Sequence, residues 1–351
     1  MLDRYFDNAA TTPVDPRVVA EMLPYFSEAF GNANSIHRFG AQAMAAVDLA
    51  RERVAALLGA DDPSEIIFTS GATEANNWVL QRSASFICSP FEHSSIYETN
   101  AALGGATFVN DGYQLHAPEA EYETAAVMFV NNETGAIFDA PSSGYKRLHR
   151  DITQAVGKIP TEEIAYDTAS FSGHKFYGPK GIGALHIRGG SWEPFMYGGE
   201  HENGLRAGTL NVPGIVGMGV AAAIALEERD QNARNVTGLR ALALGELSNI
   251  SNVKLNGGGD ASPHIVSLSF LGVEGETLVV EADRAGYAIS SGAACSSRST
   301  EPSHVLTALG LEQGWLRGTI RISFGKYNTE ESTTNLAKEL RIAVEKLRTM
   351  Q

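Results

Sequence analysis

Strand-like and helix-like segments alternate along this chain, and few architectures accommodate that alternation: it argues for an α/β fold. Short runs at 65–69, 85–88, 107–110, 125–130, 167–172 and 183–187 have strand length and are bounded by turn residues. Helical patterns lie between them. Asp15 and Pro16 open a short helix over 16–23 as N-cap and first helical residue, and Pro24 ends or kinks it. Over 41–58, Val47, Ala50, Val54 and Leu57 share one face, and Gly59 ends the helix. The strand at 65–69 turns through Ser70 and Gly71 into a helix from about Thr73. A long helical stretch with a break covers 212–247. The pattern then restarts, with strands at 264–270 and 319–324 and helices at 275–284 and 329–350, which puts a domain change near residue 235.

At 351 residues the chain exceeds one small core, so two domains are expected, one of them large. Its 43% hydrophobic and 19% charged residues suit a soluble globular protein. No apolar run reaches the ~18–20 residues of a membrane span, and residues 1–7 lack the basic-then-apolar pattern of a signal peptide. The expected location is therefore the cytoplasm, with no membrane partner. A formal net charge of −14 without a Lys/Arg cluster argues against nucleic acid as a partner. Two cysteines, Cys88 and Cys295, suggest neither a disulfide framework nor a zinc site. The nine histidines show no ligand spacing, so no metal is expected.

Four segments carry chemistry. From Ser170 to Gly181, Lys175 stands beside Ser172 and His174 after a strand and before a glycine turn. Such a lysine suits an aldehyde cofactor that bears a phosphate, although taken alone it is as readily a solvated loop lysine. From Thr69 to Asn76, a strand passes through Gly71 into a helix, whose free N–H groups at Ala72 and Thr73 form a phosphate site or merely an ordinary N-cap. Asp151 and Gln154 are spaced so that a carboxylate can protonate a pyridine nitrogen while an amide reaches a ring hydroxyl; a helix-cap aspartate is the plainer alternative. From Ser290 to Ser299, almost no large apolar residue is present, so the segment reads as an exposed loop whose Cys295 is accessible and whose Arg298 favours thiolate. Cys88, within Phe86-Ile87-Cys88, fits an inert buried thiol.

In this order and register, these segments resemble those of the cysteine desulfurases, in the class V aminotransferase superfamily of pyridoxal-phosphate enzymes of fold type I. The likeness extends from Tyr5 to Phe324 and includes the stretches 91–95, 130–135 and 204–209. It implies a large cofactor domain over 13–235, with a mixed, mostly parallel sheet flanked by helices. Residues 1–12 and 236–351 would form a smaller α+β domain that carries the cysteine. Pyridoxal 5'-phosphate would join Lys175, which also shuttles protons; Asp151 would pair with the ring nitrogen and Gln154 with the ring oxygen, and His93 would stack on the ring and act in catalysis. Ala72, Thr73, Ser172 and His174 would hold the phosphate, with Thr209 reaching the phosphate of the neighbouring subunit in a homodimer. Asn131 would contact both cofactor and substrate, and Arg321 would hold the carboxylate of L-cysteine bidentately. Cys295 would take the sulfur as a persulfide, releasing L-alanine, and pass it to an acceptor such as an iron–sulfur scaffold protein.

The chain departs from the family pattern at 31–35, at His201 and Asn203, and in short segments at 102–122 and 139–150, none of which removes a catalytic residue. Selenocysteine lyase, cystine lyase or another reaction of the same cofactor would need Lys175 and Asp151 but not Cys295. A cofactor-binding protein without catalysis would not need Lys175, Asp151, Cys295 and Arg321 together.

Overall fold

A computed structural model describes residues 1–189, 192–258, 260–292 and 302–350. Its strands are, in order, β1 (Ile66–Thr69), β2 (Phe86–Cys88), β3 (Ala106–Thr107), β4 (Asn110–Asp111), β5 (Gln114–Leu115), β6 (Tyr122–Ala126), β7 (Tyr145–Asp151), β8 (Thr168–Ser172) and β9 (Gly183–Ile187). Further on come β10 (Val253–Asn256), β11 (Ile265–Phe270), β12 (Ser290–Ser291) and β13 (Thr319–Ser323). The helices are α1 (Pro16–Met22), α2 (Pro24–Ser27), α3 (Arg38–Leu58), α4 (Ala72–Gln81), α5 (Ser94–Leu103) and α6 (Val212–Leu247). They are followed by α7 (Gly275–Arg284), α8 (His304–Ala308), α9 (Gln313–Arg317) and α10 (Glu330–Thr349).

Among the described residues, seven strands form a sheet of order β1-β9-β8-β7-β6-β2-β3. Every neighbouring pair is parallel except the two made by β9, which runs against both β1 and β8. The sheet is buried on both faces, and β9 shows why. Ala184 faces a core that includes Val47, Val54 and Leu58 of α3 and Ile215 and Met218 of α6. Leu185 and Ile187 face Ala75, Trp78 and Val79 of α4 instead. Burying one such Leu or Ile contributes about 1.5–3 kcal/mol.

A second, antiparallel sheet has the order β10-β11-β13-β12. Its core joins Val266, Leu268, Ile320 and Ile322 to Leu278 of α7 and Leu336 and Leu340 of α10. The second half of α6 contributes Val236, Leu239, Ala243 and Leu247 to the same core. The chain's beginning pairs here too: Tyr5 bridges to Ala288 and Asp7 to Ser323, both parallel.

Several expectations need correction. α6 runs unbroken for 36 residues: its polar stretch 227–235 contains no Gly or Pro, and Glu227, Glu228, Arg229, Gln231, Ala233 and Arg234 are good helix formers that tolerate solvent. The expected strand at 107–110 splits into β3 on the large sheet and β4, which pairs with β5 in a separate hairpin. The strand expected at 125–130 lies at Tyr122–Ala126. Neither β7 nor α5 was anticipated from the local pattern.

Candidate active site

The carboxyl ends of β1, β2, β6, β7 and β8 lie at one edge of the sheet, since these strands run in one direction. The residues that follow them, together with Ala9, Ala10 and Arg321, line a cavity of about 300 Å³. That volume falls in the range of small-molecule cofactor sites. Gly183 makes the convergence possible. It stands opposite both Thr69 and Ser172, and a Cβ there would lie 2.5 Å from the Phe171 carbonyl oxygen and 2.6 Å from Gly71 Cα. Only glycine lets the turn into α4 approach β9 so closely.

Lys175 ends a short 3₁₀ turn, Gly173–Lys175, that follows β8. Its Nζ donates to the carbonyl oxygens of Ala9 (2.7 Å) and Ala10 (2.8 Å), so the start of the chain holds the amine at the cavity. Asp151 ends β7. Its Oδ1 accepts from the Thr153 N–H at 2.9 Å and its Oδ2 from Asn76 Nδ2 at 2.9 Å. Gln154 Nε2 donates to the Ala9 carbonyl, and Gln154 Oε1 accepts from Lys158 Nζ at 2.7 Å. Burial, with Lys175 and Arg321 adding repulsion, pushes the Lys158 ammonium down to about 7.

Ala72 and Thr73 open α4, and the Ala72 N–H donates to Ser172 Oγ at 2.8 Å. His174 Nδ1 lies 3.1 Å from Thr11 Oγ1, and burial pushes its pKa down to about 4. His93 caps α5, its Nδ1 accepting from the Ser95 N–H at 3.1 Å; burial lowers its pKa as well. Arg321 is almost wholly buried. It donates through Nη1 to the Asn132 carbonyl (2.7 Å) and through Nη2 to Asp7 Oδ1 (2.8 Å).

The cavity thus gathers Ala72, Thr73, His93, Asp151, Gln154, Ser172, His174, Lys175 and Arg321. Two expected residues are not in it. The side chain of Asn131 is occupied in its own turn: Oδ1 accepts from the N–H groups of Glu133 and Thr134, and Nδ2 donates to the Phe91 carbonyl. Its neighbour Asn132 lines the cavity instead. Thr209 is exposed and does not line it. Cys295 and Arg298 lie outside the described residues. Cys88 is buried, and burial raises its thiol pKa.

The sequence pattern did not single out Ala9, Ala10, Met128, Asn132 or Thr153, all of which line the cavity. Thr153 sits between Asp151 and Gln154, in the same turn after β7. Asn132 Oδ1, Thr153 Oγ1 and Arg321 Nε are buried without a hydrogen-bond partner among the described residues. Buried polar atoms of that kind call for a polar ligand, and with Lys175, Asp151 and Gln154 they fit a phosphorylated pyridine aldehyde and an amino-acid carboxylate. Among the described residues, no group of three or more His, Cys, Asp and Glu is placed to hold a metal.

Residues 4–336 match the family model for class-V aminotransferases. The cysteine desulfurase IscS of Salmonella arizonae is 41% identical, over 98% of this chain and 93% of that protein. Among solved structures, a NifS-like protein superposes with a TM-score of 0.86 at 35% identity, covering 97% of this chain and 99% of the other. SspA in complex with cysteine superposes with a TM-score of 0.76 at 30% identity, covering 93% and 100%. The mixed, mostly parallel sheet with flanking helices is the fold-type-I architecture these structures share.

Proposed function

The chain belongs to the class-V aminotransferase family and, within it, to the cysteine desulfurases, and on that premise we propose that it takes sulfur from L-cysteine onto Cys295 and releases L-alanine. The family works with pyridoxal 5'-phosphate. The observation that carries the reading is the meeting of Lys175, Asp151, Gln154 and Arg321 around one cavity from three separate segments of the chain. Bound there, the cofactor supplies an aldehyde for amines and a ring that accepts electrons.

The protein's own groups do the rest. Lys175, held by the Ala9 and Ala10 carbonyls, would bind the aldehyde and would move a proton at the substrate α-carbon. Asp151 would pair with the ring nitrogen, Gln154 would offer an amide N–H to the ring oxygen, and His93 would lie against the ring. Ala72 and Thr73 at the start of α4, with Ser172 and His174, would hold the phosphate. Arg321 and Asn132, rather than Asn131, hold the substrate carboxylate; the Asp7 contact keeps the guanidinium oriented. The Cys295 thiolate attacks the substrate sulfur, so an S–S bond forms as the C–S bond breaks. The bond's electron pair stays on carbon, which takes up a proton and leaves as alanine.

The same reading divides the chain into 13–235 and 1–12 with 236–351, in keeping with the two cores, whose residues meet along α6. It places the protein in the cytoplasm as a homodimer. Exposed apolar side chains at Leu23, Phe26, Phe30 and Ile36 support a partner surface, and Thr209 would serve the partner's phosphate site. The persulfide would pass to an acceptor such as an iron–sulfur scaffold protein.

The test is sulfide and alanine formation from L-cysteine, with a reductant, by the wild type and by Cys295→Ala. Equal yields of both products from the wild type and neither from the variant are expected. Undiminished activity in the variant would mean a lyase that needs no thiol. No product from either would remove the desulfurase reading.

A further inference from the structure

Behind the cavity runs a chain of buried polar groups that the reaction just described does not use. Asn76, on α4, is fully buried and makes four hydrogen bonds. Its Nδ2 donates to Asp151 Oδ2 (2.9 Å) and to Ser95 Oγ (2.8 Å). Its Oδ1 accepts from Ser170 Oγ and from His149 Nε2, each within hydrogen-bond distance. His149 Nδ1 lies 2.9 Å from Thr168 Oγ1, and burial keeps this ring neutral by pushing its pKa down to about 4.

The directions follow from the donor inventory. A carboxylate only accepts, so the amide must turn Nδ2 to Asp151 and Oδ1 to Ser170 and His149. Ser95 Oγ accepts from Asn76, which leaves its proton to be donated. His93 Nδ1 is 2.9 Å from Ser95 Oγ and also accepts the Ser95 backbone N–H. Both contacts require a bare Nδ1, so the proton of neutral His93 sits on Nε2.

We propose that Asn76 is a positioning residue of this site: one amide group holds the Asp151 carboxylate and, through the Ser95 hydroxyl, keeps His93 in its Nε2–H form. The inference rests on the reading of His93 and Asp151 as cofactor-facing groups. A neutral ring with a fixed tautomer presents one defined face and one defined N–H to whatever lies in the cavity. A hydrogen bond donated to Nδ1 stabilises that neutral form and opposes a second proton. The charged and titratable groups around His93 are Asp151, Lys175, Glu98 and His304; none of the variants below replaces one of them, and the Ser95 variants leave the Asn76–Asp151 contact in place.

The test uses full-length, cofactor-loaded protein with ¹⁵N-labelled histidine. His93 resonances are assigned by their loss in His93→Gln and followed through a pH titration. The wild type should show a bare Nδ1 and a protonated Nε2. Ser95→Ala should raise the His93 protonation midpoint by about one pH unit, a tenfold gain in proton affinity. Ser95→Thr, which keeps the hydroxyl, should restore it. Asn76→Ala should raise the midpoint as well and, unlike Ser95→Ala, also move the pH midpoint of the cofactor's absorbance, because Asn76 donates to Asp151 and Ser95 does not. Unchanged His93 midpoints in Ser95→Ala, or a wild-type ring protonated on Nδ1, would overturn the inference. If Asn76→Ala does not fold, the Ser95 pair decides alone. A wild type that shows no cofactor absorbance would refute the cofactor reading instead, while the His93 resonances would still decide the tautomer.

Discussion

Replacing Lys158 with methionine should change how stability depends on pH, in a way that can be worked out from the burial of this one ammonium. Lys158 is 6% exposed, and its Nζ donates to a neutral amide oxygen, Gln154 Oε1, at 2.7 Å. Burial, with Lys175 and Arg321 as neighbouring cations, brings the folded-state pKa from 10.5 down to about 7. Between those values the unfolded chain holds a proton that the folded chain lacks, so folding is favoured increasingly as pH rises through the window. Below pH 7 both states are charged and the full penalty of burying the ammonium remains. At about 1.4 kcal/mol per pH unit, the window amounts to roughly 3–5 kcal/mol. Lys158→Met removes this titration at nearly constant volume. It also leaves Gln154 Oε1 without its donor, a cost of about 1–3 kcal/mol that does not vary with pH. The assay is urea unfolding, followed by circular dichroism, of cofactor-free wild type and variant across this pH range. Every other titrating group is common to both proteins, and the histidines that feel the Lys158 charge, His174 and His264, are already neutral in this window, so the difference reports chiefly on Lys158. The wild type should gain roughly 3–5 kcal/mol relative to the variant from pH 7 to about pH 10. A difference that stays flat, or falls, would refute the assignment of a neutral buried amine.

Glu133 should show the opposite sign. Burial pushes its carboxyl from 4.5 up to about 7 while Ser303 Oγ donates to it at 2.6 Å, so the folded chain holds the extra proton and stability falls as pH rises between those values. Glu133→Gln should flatten that fall by about 3 kcal/mol, read as a smaller change in melting temperature between acid and neutral pH; parallel curves would count against it. At the substrate end, Arg321→Gln should raise KM for L-cysteine about 10–100-fold, the equivalent of one lost charge-assisted hydrogen bond, with a smaller effect on kcat. A fall in kcat at constant KM would separate Arg321 from carboxylate binding.

The site was legible in the sequence where a strand gives way to a turn rich in small and hydroxyl residues, as at Thr69–Thr73 and Ser172–Lys175. At such places a functional side chain and its supporting backbone are neighbours in sequence. β7 was not legible. Tyr145-Lys146-Arg147-Leu148-His149-Arg150-Asp151 looks like surface, yet its last four residues are buried in the middle of the sheet. They are tolerated there by distant partners: His149 by Thr168 and Asn76, and Arg150 by the Phe138 carbonyl at 2.8 Å. Local periodicity carries no trace of such partners. The side chain of Asn131 is drawn into a tight turn, where it accepts from the N–H groups of Glu133 and Thr134, a geometry that composition does not reveal.

The short segment from Tyr5 to Ala10 is tied to the far end of the chain. Asn8 Nδ2 donates to the Ser323 carbonyl across 315 residues, the Ala9 N–H donates to Ser323 Oγ, and Asp7 pairs with Arg321. The carbonyls that hold Lys175 and Gln154 belong to the same segment. During synthesis at roughly 5–20 residues per second, these first residues therefore wait on the order of 15–60 s for their partners to be made. A ribosome stalled before β13 has already made Lys175 but not Arg321 or Ser323, so the cavity lacks its Arg321 wall and the segment that grips Lys175 lacks its anchor.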